Sequence, residues 1–322
     1  MHHISPYAAL LFGCLTFFSS FASAGPYPEK PIRLVVPYPP GGTTDVLARI
    51  ISQGLTEKLG VAVIVENKPG GGNNIGTEFV IKSPPDGYTM LLTNPANGIN
   101  ASLYKNLSFN FVNDVAPVAG IVRTPNVMVV TNGMPVKTVA EFIEYCKTNP
   151  SKVNMASSGS GTSVHLSGEL FKSMTGCKMT HIPYKGAGPA LNDLLGGQVQ
   201  VIFDNLPSSA GFIKDGRIRA LGVTSVAIEP SLPNVPTIAE TVPGYEATAW
   251  FGLSMPKGSP REAVEKVNTA MNQLLADPKM QRRLADLGGV PIPGTPEDFG
   301  RTISNETQKW EKVVKASGAT VD

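Results

Sequence analysis

The chain alternates between short, nearly continuous apolar runs and longer stretches whose apolar positions recur every three to four residues. The first pattern marks strands buried on both faces, and the second marks helices with one face on a core. Residues 33–38 read as a strand, 39–44 as a turn, and 45–59 as a helix closed by Gly60. A buried strand at 61–66 follows, and a Gly-rich loop at 69–74 precedes a helix over 75–82. Beyond the turn at 84–87, a third strand at 88–93 ends at Asn94-Pro95. Residues 117–124 and 126–131 form two further extended runs, the second leading away into new αβ units.

The alternation then resumes. Thr138 with Glu141 is a capping box for a helix ending near Thr148. Strands at 153–156, 179–183, 199–203 and 219–224 are separated by helices at 163–174, through Leu195 and up to Lys214. Two such series predict two parallel sheets, hence two α/β lobes. Residues 225–245 are Pro-rich and irregular, and 248–255 is extended. A helix capped at 259–262 carries Val264, Val267, Met271, Leu274 and Leu275 on one face, and a shorter one runs to Leu287. The last, capped at 295–298, carries Phe299, Ile303 and Trp310. This tail has no complete αβ core, so it should pack on the first lobe. The expected division is 25–125 and 246–322 for lobe one and 126–245 for lobe two, with the runs at 126–131 and 248–255 as the hinge.

Residues 1–24 stand apart: an apolar run over 8–21 precedes Ala22-Ser23-Ala24, which reads as an export signal cleaved near Ala24, before Gly25. Its start offers His2 and His3 rather than Lys or Arg, and the Cys14 lipidation pattern leaves too short an apolar segment before it. No other run is long enough to cross a bilayer as a helix. The net charge of +2, without a basic run, gives no sign of nucleic-acid binding. Gly71 to Gly76 has the span of a phosphate loop, but Thr77 stands where Lys is needed, so no nucleotide cofactor is expected. Neither H-x-x-x-H nor C-x-x-C occurs, so no metal is expected either. Cys146 and Cys177, both just before predicted strands, are either a disulfide or two buried thiols.

The chemistry centres on residues 153–166. A short strand passes through Ser157-Ser158-Gly159-Ser160-Gly161-Thr162 and opens a helix at Ser163. The first N–H groups of a helix lack intrahelical partners, and its dipole favours negative charge there. The junction is an anion cradle without Lys or Arg, suited to a small carboxylate that must be released again. The turn at 39–44 repeats the plan one lobe away. Small residues also suit ordinary βα turns; the pair suggests one ligand held from two sides. A secreted serine-type hydrolase is the alternative, because His165 follows Ser163 closely; yet 161–165 lacks the last Gly of G-x-S-x-G. His165 and His181 are instead expected to pack or cap.

Several segments together resemble one family, the periplasmic substrate-binding proteins of tripartite tricarboxylate transporters (the TctC or Bug family). They are Tyr27-Pro28-Glu29-Lys30-Pro31-Ile32, Pro39-Pro40-Gly41-Gly42-Thr43-Thr44-Asp45, Glu66-Asn67-Lys68-Pro69-Gly70-Gly71-Gly72, the cradle, and Ile182-Pro183-Tyr184-Lys185-Gly186. The order continues through residues 193–199, 235–240 and Trp250-Phe251-Gly252, so it covers the mature chain. The resemblance implies a two-lobed, type II-like periplasmic binding protein fold, two Rossmann-like lobes joined by two crossing strands. It also implies a monomer, without catalytic residues or cofactor. Such a protein would pass a di- or tricarboxylate, amino acid or aromatic carboxylate to one large and one small permease subunit. Carried over, Tyr38, Gly41, Gly42 and Thr43 line one side of the cleft, with Asn94 at a strand end. Ser157, Ser158, Gly159, Gly161, Thr162 and Ser163 line the other. Asp204 matches an acidic position that would orient a water or receive a ligand N–H, or else cap the helix after Asn205.

Overall fold

The structure, a computed structural model, describes residues 27–150, 152–319 and 321. The expected export segment 1–24 lies outside the described residues. Strands β1 (Ile32–Val36), β2 (Val63–Asn67) and β3 (Thr89–Thr93) are parallel in the order β2-β1-β3. Helices α1 (Thr43–Leu59) and α2 (Asn74–Ile81) make the crossovers between them. β3 runs directly into α3 (Pro95–Leu103), which the hydrophobic pattern does not predict. Pro, two Asn and a Gly are poor helix formers. A reciprocal cap between Asn94 and Asn97 and the burial of Ile99 and Leu103 hold the segment helical instead.

After the short helix α4 (Phe111–Asp114) comes β4 (Val115–Thr131), one 17-residue strand where two runs were expected. Residues 115–125 of it pair antiparallel with β9 (Thr248–Pro256), which also borders β3. Residues from Asn126 onward pair antiparallel with β7 (Val201–Asn205) and β8 (Ile218–Val223). The chain thus passes between two sets of strands at Pro125-Asn126, and returns at Ala247, whose N–H bonds the Thr224 carbonyl. Both crossings fall at the start of the runs read as hinges. Polar bonds join them, with the Asn126 N–H donating to Thr224 Oγ1 at 2.7 Å.

The second set adds α5 (Val139–Thr148), β5 (Asn154–Ser157), α6 (Ser163–Thr175), β6 (Thr180–Pro183), α7 (Ala187–Leu195) and α8 (Leu206–Lys214). β5 lies parallel between β6 and β7, as expected, but β8 pairs only with β4, antiparallel, so this sheet is mixed rather than parallel. Helices α9 (Arg261–Leu275) and α10 (Pro278–Ala285), strand β10 (Val290–Pro291) and helix α11 (Pro296–Ser317) complete the chain.

Leu34, Leu47, Leu253 and Met271 belong to one buried cluster, and Phe142, Met155, Phe171 and Phe203 to another. Two lobes result, each with its own apolar centre. The tail departs from the expected division. Phe299 and Ile303 of α11 pack with Val35 and Trp250 of the first lobe, but Trp310 and Val314 sit in the second-lobe cluster. Residues 246–322 therefore do not pack on the first lobe alone. Ile99 and Leu103 of α3 join the same second cluster, and α3 packs on α11. Cys146 and Cys177 are buried free thiols. Among the described residues no helix is long and apolar enough to cross a membrane.

Candidate binding site

Between the lobes lies a small cavity of about 30 Å³, lined by Tyr38, Pro39, Gly42, Thr43, Thr44, Asn94, Pro95, Ser158, Thr162, Ser163, Gly186, Ala187, Asn205, Ser208 and Phe251. None of these carries a charge. The lining includes the first residues or caps of α1, α3, α6, α7 and α8, so five helix N-termini converge on one space. Gly42, Gly186 and Asn205 start their helices without a side-chain cap, leaving first-turn N–H groups for another acceptor. Asn94 adds a side-chain donor: its Oδ1 accepts from the Ala96 N–H, while its buried Nδ2 has no partner. A buried, unpaired amide donor is costly unless something fills the place it faces. Partial positive charge from helix starts, hydroxyls and one orphan amide is what an anionic oxygen needs.

Of the residues expected at the site, Tyr38, Gly42, Thr43, Asn94, Ser158, Thr162 and Ser163 meet here. Gly159 borders an adjoining outer cavity of about 700 Å³ instead. The other four expected residues line neither space. Gly41 turns its N–H to the Asp45 carboxylate at 3.0 Å. Ser157 is fully buried and bonds His181 Nε2 at 2.7 Å. The N–H of Gly161 donates to His165 Nδ1, and a Cβ there would strike Asn100 of α3. Asp204 lies behind the wall, accepting from Ser208 Oγ at 2.5 Å and from Ser209 Oγ. The sequence reading missed Ser208, Gly186 and Ala187. Ser208 and Ser209 stand four and five residues after Asp204 across a helix start, a spacing that could have signalled them.

Both walls are braced from behind. On the first lobe, burial works to raise the Asp45 pKa, but bonds from Arg49, Asn67 and the Gly41 N–H outweigh it and hold the carboxyl below its ordinary range. Asn67 also donates to the Tyr38 carbonyl, fixing the turn over α1. On the second lobe, Thr162 Oγ1 donates to the Gly159 carbonyl and accepts from the His165 N–H, so it closes the loop and caps α6. His165 and His181 stack with ring centroids 3.9 Å apart. Burial pushes their pKa values down to about 3 and about 4, aided by Lys172 nearby. Both rings are neutral at physiological pH, and His165 offers Nδ1 as an acceptor. The crossing is tied in as well: Asn205 Nδ2 donates to Asn126 Oδ1 at 2.6 Å and to Ser163 Oγ at 3.1 Å.

The lobes touch around the cavity. Thr43 Oγ1 lies 3.3 Å from Ser208 Oγ across the cleft. Gly186 takes φ +103, and a Cβ there would come 3.4 Å from the Pro39 ring. Tyr38, Pro39, Ser158 and Gly186 are shared with the outer cavity, which also has Tyr104, Tyr184 and Lys185. A larger open trough of about 1040 Å³ runs along β2 past Arg33, Ile64 and Phe79, but shares no lining residue with either. The Ser157–His181 pair has the contact a serine nucleophile needs, yet Ser157 reaches neither cavity.

Two α/β lobes, two strand crossings and a polar uncharged cavity between them define a bilobal solute-binding protein. The chain belongs to the TctC family, the tripartite tricarboxylate transporter family receptors, whose model matches residues 47–319. Its members are periplasmic binding proteins rather than enzymes. The chain is similar to the protein BugT of Bordetella pertussis, 36% identical over 92% of each chain. It is also similar to the solved structure of R. palustris Rpa4515 with adipate: 40% identity, TM-score 0.89, covering 91% of this chain and 98% of that one. MatC from Rhodopseudomonas palustris, with bound malate, is 29% identical with TM-score 0.86, covering 89% of this chain and all of that one.

Proposed function

We propose that this chain is an exported receptor that captures a small carboxylic acid between its lobes and delivers it to a membrane permease of one large and one small subunit. In this reading export removes residues 1–24, and the mature protein acts as a monomer. Its lobes divide near residues 125 and 246, with α3 and α11 reaching across. The observation that carries the reading is the uncharged cavity lined by helix starts and by Asn94, whose buried side-chain amide has no partner. The small space suits one carboxylate end; the rest of a ligand extends past Pro39 and Gly186 towards the outer cavity. Support comes from the two relatives solved with adipate and with malate, both dicarboxylates.

A thermal-shift screen of the mature protein against mono-, di- and tricarboxylates and amino acids tests the proposal. At a hundred times its Kd, a ligand stabilises by about 2.7 kcal/mol, or roughly 5 °C for a chain of this size. The expected result is such a shift with a dicarboxylate that is recovered unchanged. No shift with any carboxylate, or chemical conversion of the ligand, would contradict it.

A further inference from the structure

Asp204 is 1% exposed and faces no cation. An ionised carboxylate in such a place is expensive unless it is fully bonded. Its bonds come from Ser208, Ser209 and the Asn205 backbone, and burial still pushes its pKa up to about 6. Ionisable groups on the neighbouring elements are engaged elsewhere: Asp45 with Arg49 on α1, Arg123 of β4 with Glu306, and Glu169 with Lys172 on α6. His165 bonds Gly161, Asp193 of α7 bonds Tyr184, and Lys214 is exposed at the far end of α8. The state of Asp204 is therefore set by burial and by the serines.

The geometry points to Asp204 as a positioning residue that takes up a proton when a ligand carboxylate enters, so that capture of the anion is coupled to pH. This rests on reading the cavity as a carboxylate site. Ser208 has one hydrogen and two acceptors within reach, the Asp204 carboxylate at 2.5 Å and the Asn205 carbonyl at 2.9 Å, and it accepts from Thr43. Asp204 thus stands one hydroxyl behind the cavity wall, and while it is ionised its charge repels an incoming carboxylate. One proton taken from solvent onto Asp204 removes that charge. The carboxyl O–H then donates to Ser208 Oγ, and the Ser208 hydrogen passes to the Asn205 carbonyl. Linkage fixes the sign: an anion that raises the Asp204 pKa binds more tightly when Asp204 is protonated.

Titration calorimetry with adipate and malate, between pH 8 and pH 6 in buffers of different ionisation enthalpy, reads the coupling. Expected are net proton uptake on binding and an affinity that rises towards pH 6, by at most about tenfold per pH unit for one proton. Asp204→Asn, whose amide donates as the protonated acid would, should bind with the same affinity at both pH values and without uptake. The measurement on the unaltered protein decides the matter even if that variant does not fold. Binding without uptake and independent of pH would overturn the coupling but leave the carboxylate site standing. Proton release, with affinity falling towards pH 6, would overturn it in favour of a ligand N–H donor facing an ionised Asp204. If no carboxylate binds at all, the site reading and the coupling fall together.

Discussion

Helix starts at the cleft are built differently from those on the outer surface. α4, α5, α10 and α11 begin at Asn110, Thr138, Asp277 and Thr295, each with a side-chain oxygen accepting a first-turn N–H. α1, α7 and α8 begin at Gly42, Gly186 and Asn205 with no such bond. A side-chain cap is worth about 1 kcal/mol, and it is absent at three starts that meet in one cavity. α3 and α6 reach the same cavity with caps in place, and there Asn94 Nδ2 and the Ser163 hydroxyl are the groups on offer. Two further helices start uncapped: α2 at Asn73, beside the outer cavity, and α9 at the exposed Pro260, where water serves. The difference teaches that the cleft keeps donors unspent for a ligand, whereas the outer surface spends them on stability.

Converting a cleft start into an outer one should have the largest effect. Gly42 has extended backbone (φ −87, ψ 171), and a Cβ there meets Ala187 Cβ at 3.7 Å, an ordinary contact. Gly42→Asp would cap α1 with its own carboxylate in the place of the ligand's. Calorimetry should find affinity for adipate or malate reduced more than about a hundredfold, while the melting temperature holds or rises. Gly161→Asp is a poorer test, since Asn100 blocks that side chain.

Acidification comes next and acts through three groups of the second lobe. His165 and His181 are held below their unfolded pKa, so the unfolded chain binds protons more readily between about pH 4 and 6.5. Their contribution is full above pH 6.5 and is lost as pH falls, on the order of 3 kcal/mol for His181. Asp204, raised to about 6, acts in the opposite sense: its contribution is present below about pH 4 and is lost as pH rises through 6. Chemical denaturation across pH 4–7 should show stability falling towards acid, with a shallower slope in His181→Gln.

Ser163→Ala should weaken binding about ten- to a hundredfold, the loss of one hydrogen bond to a charged group, with little change in melting temperature. Thr138→Ala is its mirror on the outer surface. Deleting that cap should cost about 1 kcal/mol in a urea titration and leave Kd unaltered. Lys185→Ala should change Kd least, because Lys185 borders only the outer cavity.

The strand–turn–helix junctions at 38–43 and 157–163 were legible because Gly, Ser and Thr there act locally, on the next turn of chain. α3 was not, because its helix is held by the Asn94–Asn97 cap and by burial rather than by propensity. The bonding of Gly161 was not legible for a related reason: whether its N–H is free depends on His165 turning back onto it one helical turn later. The two allegiances of α11 were invisible too. An apolar face gives the period of a helix but does not say which core receives Phe299 and which receives Trp310. Asp204 was singled out as a position facing a ligand or capping a helix, but its place behind Ser208 depends on how β7 enters α8.

The central claim is that helix-start amides and hydroxyls, not a cationic side chain, hold the anion. Backbone amide NMR of the mature protein, titrated with adipate or malate, tests it most directly. The account predicts the largest downfield amide shifts at Thr43, Thr44, Ser163 and Ala187, the first-turn residues of α1, α6 and α7 that line the cavity from both lobes. Shifts confined to the neighbourhood of Lys185 and the outer cavity, with those four amides unmoved, would contradict it.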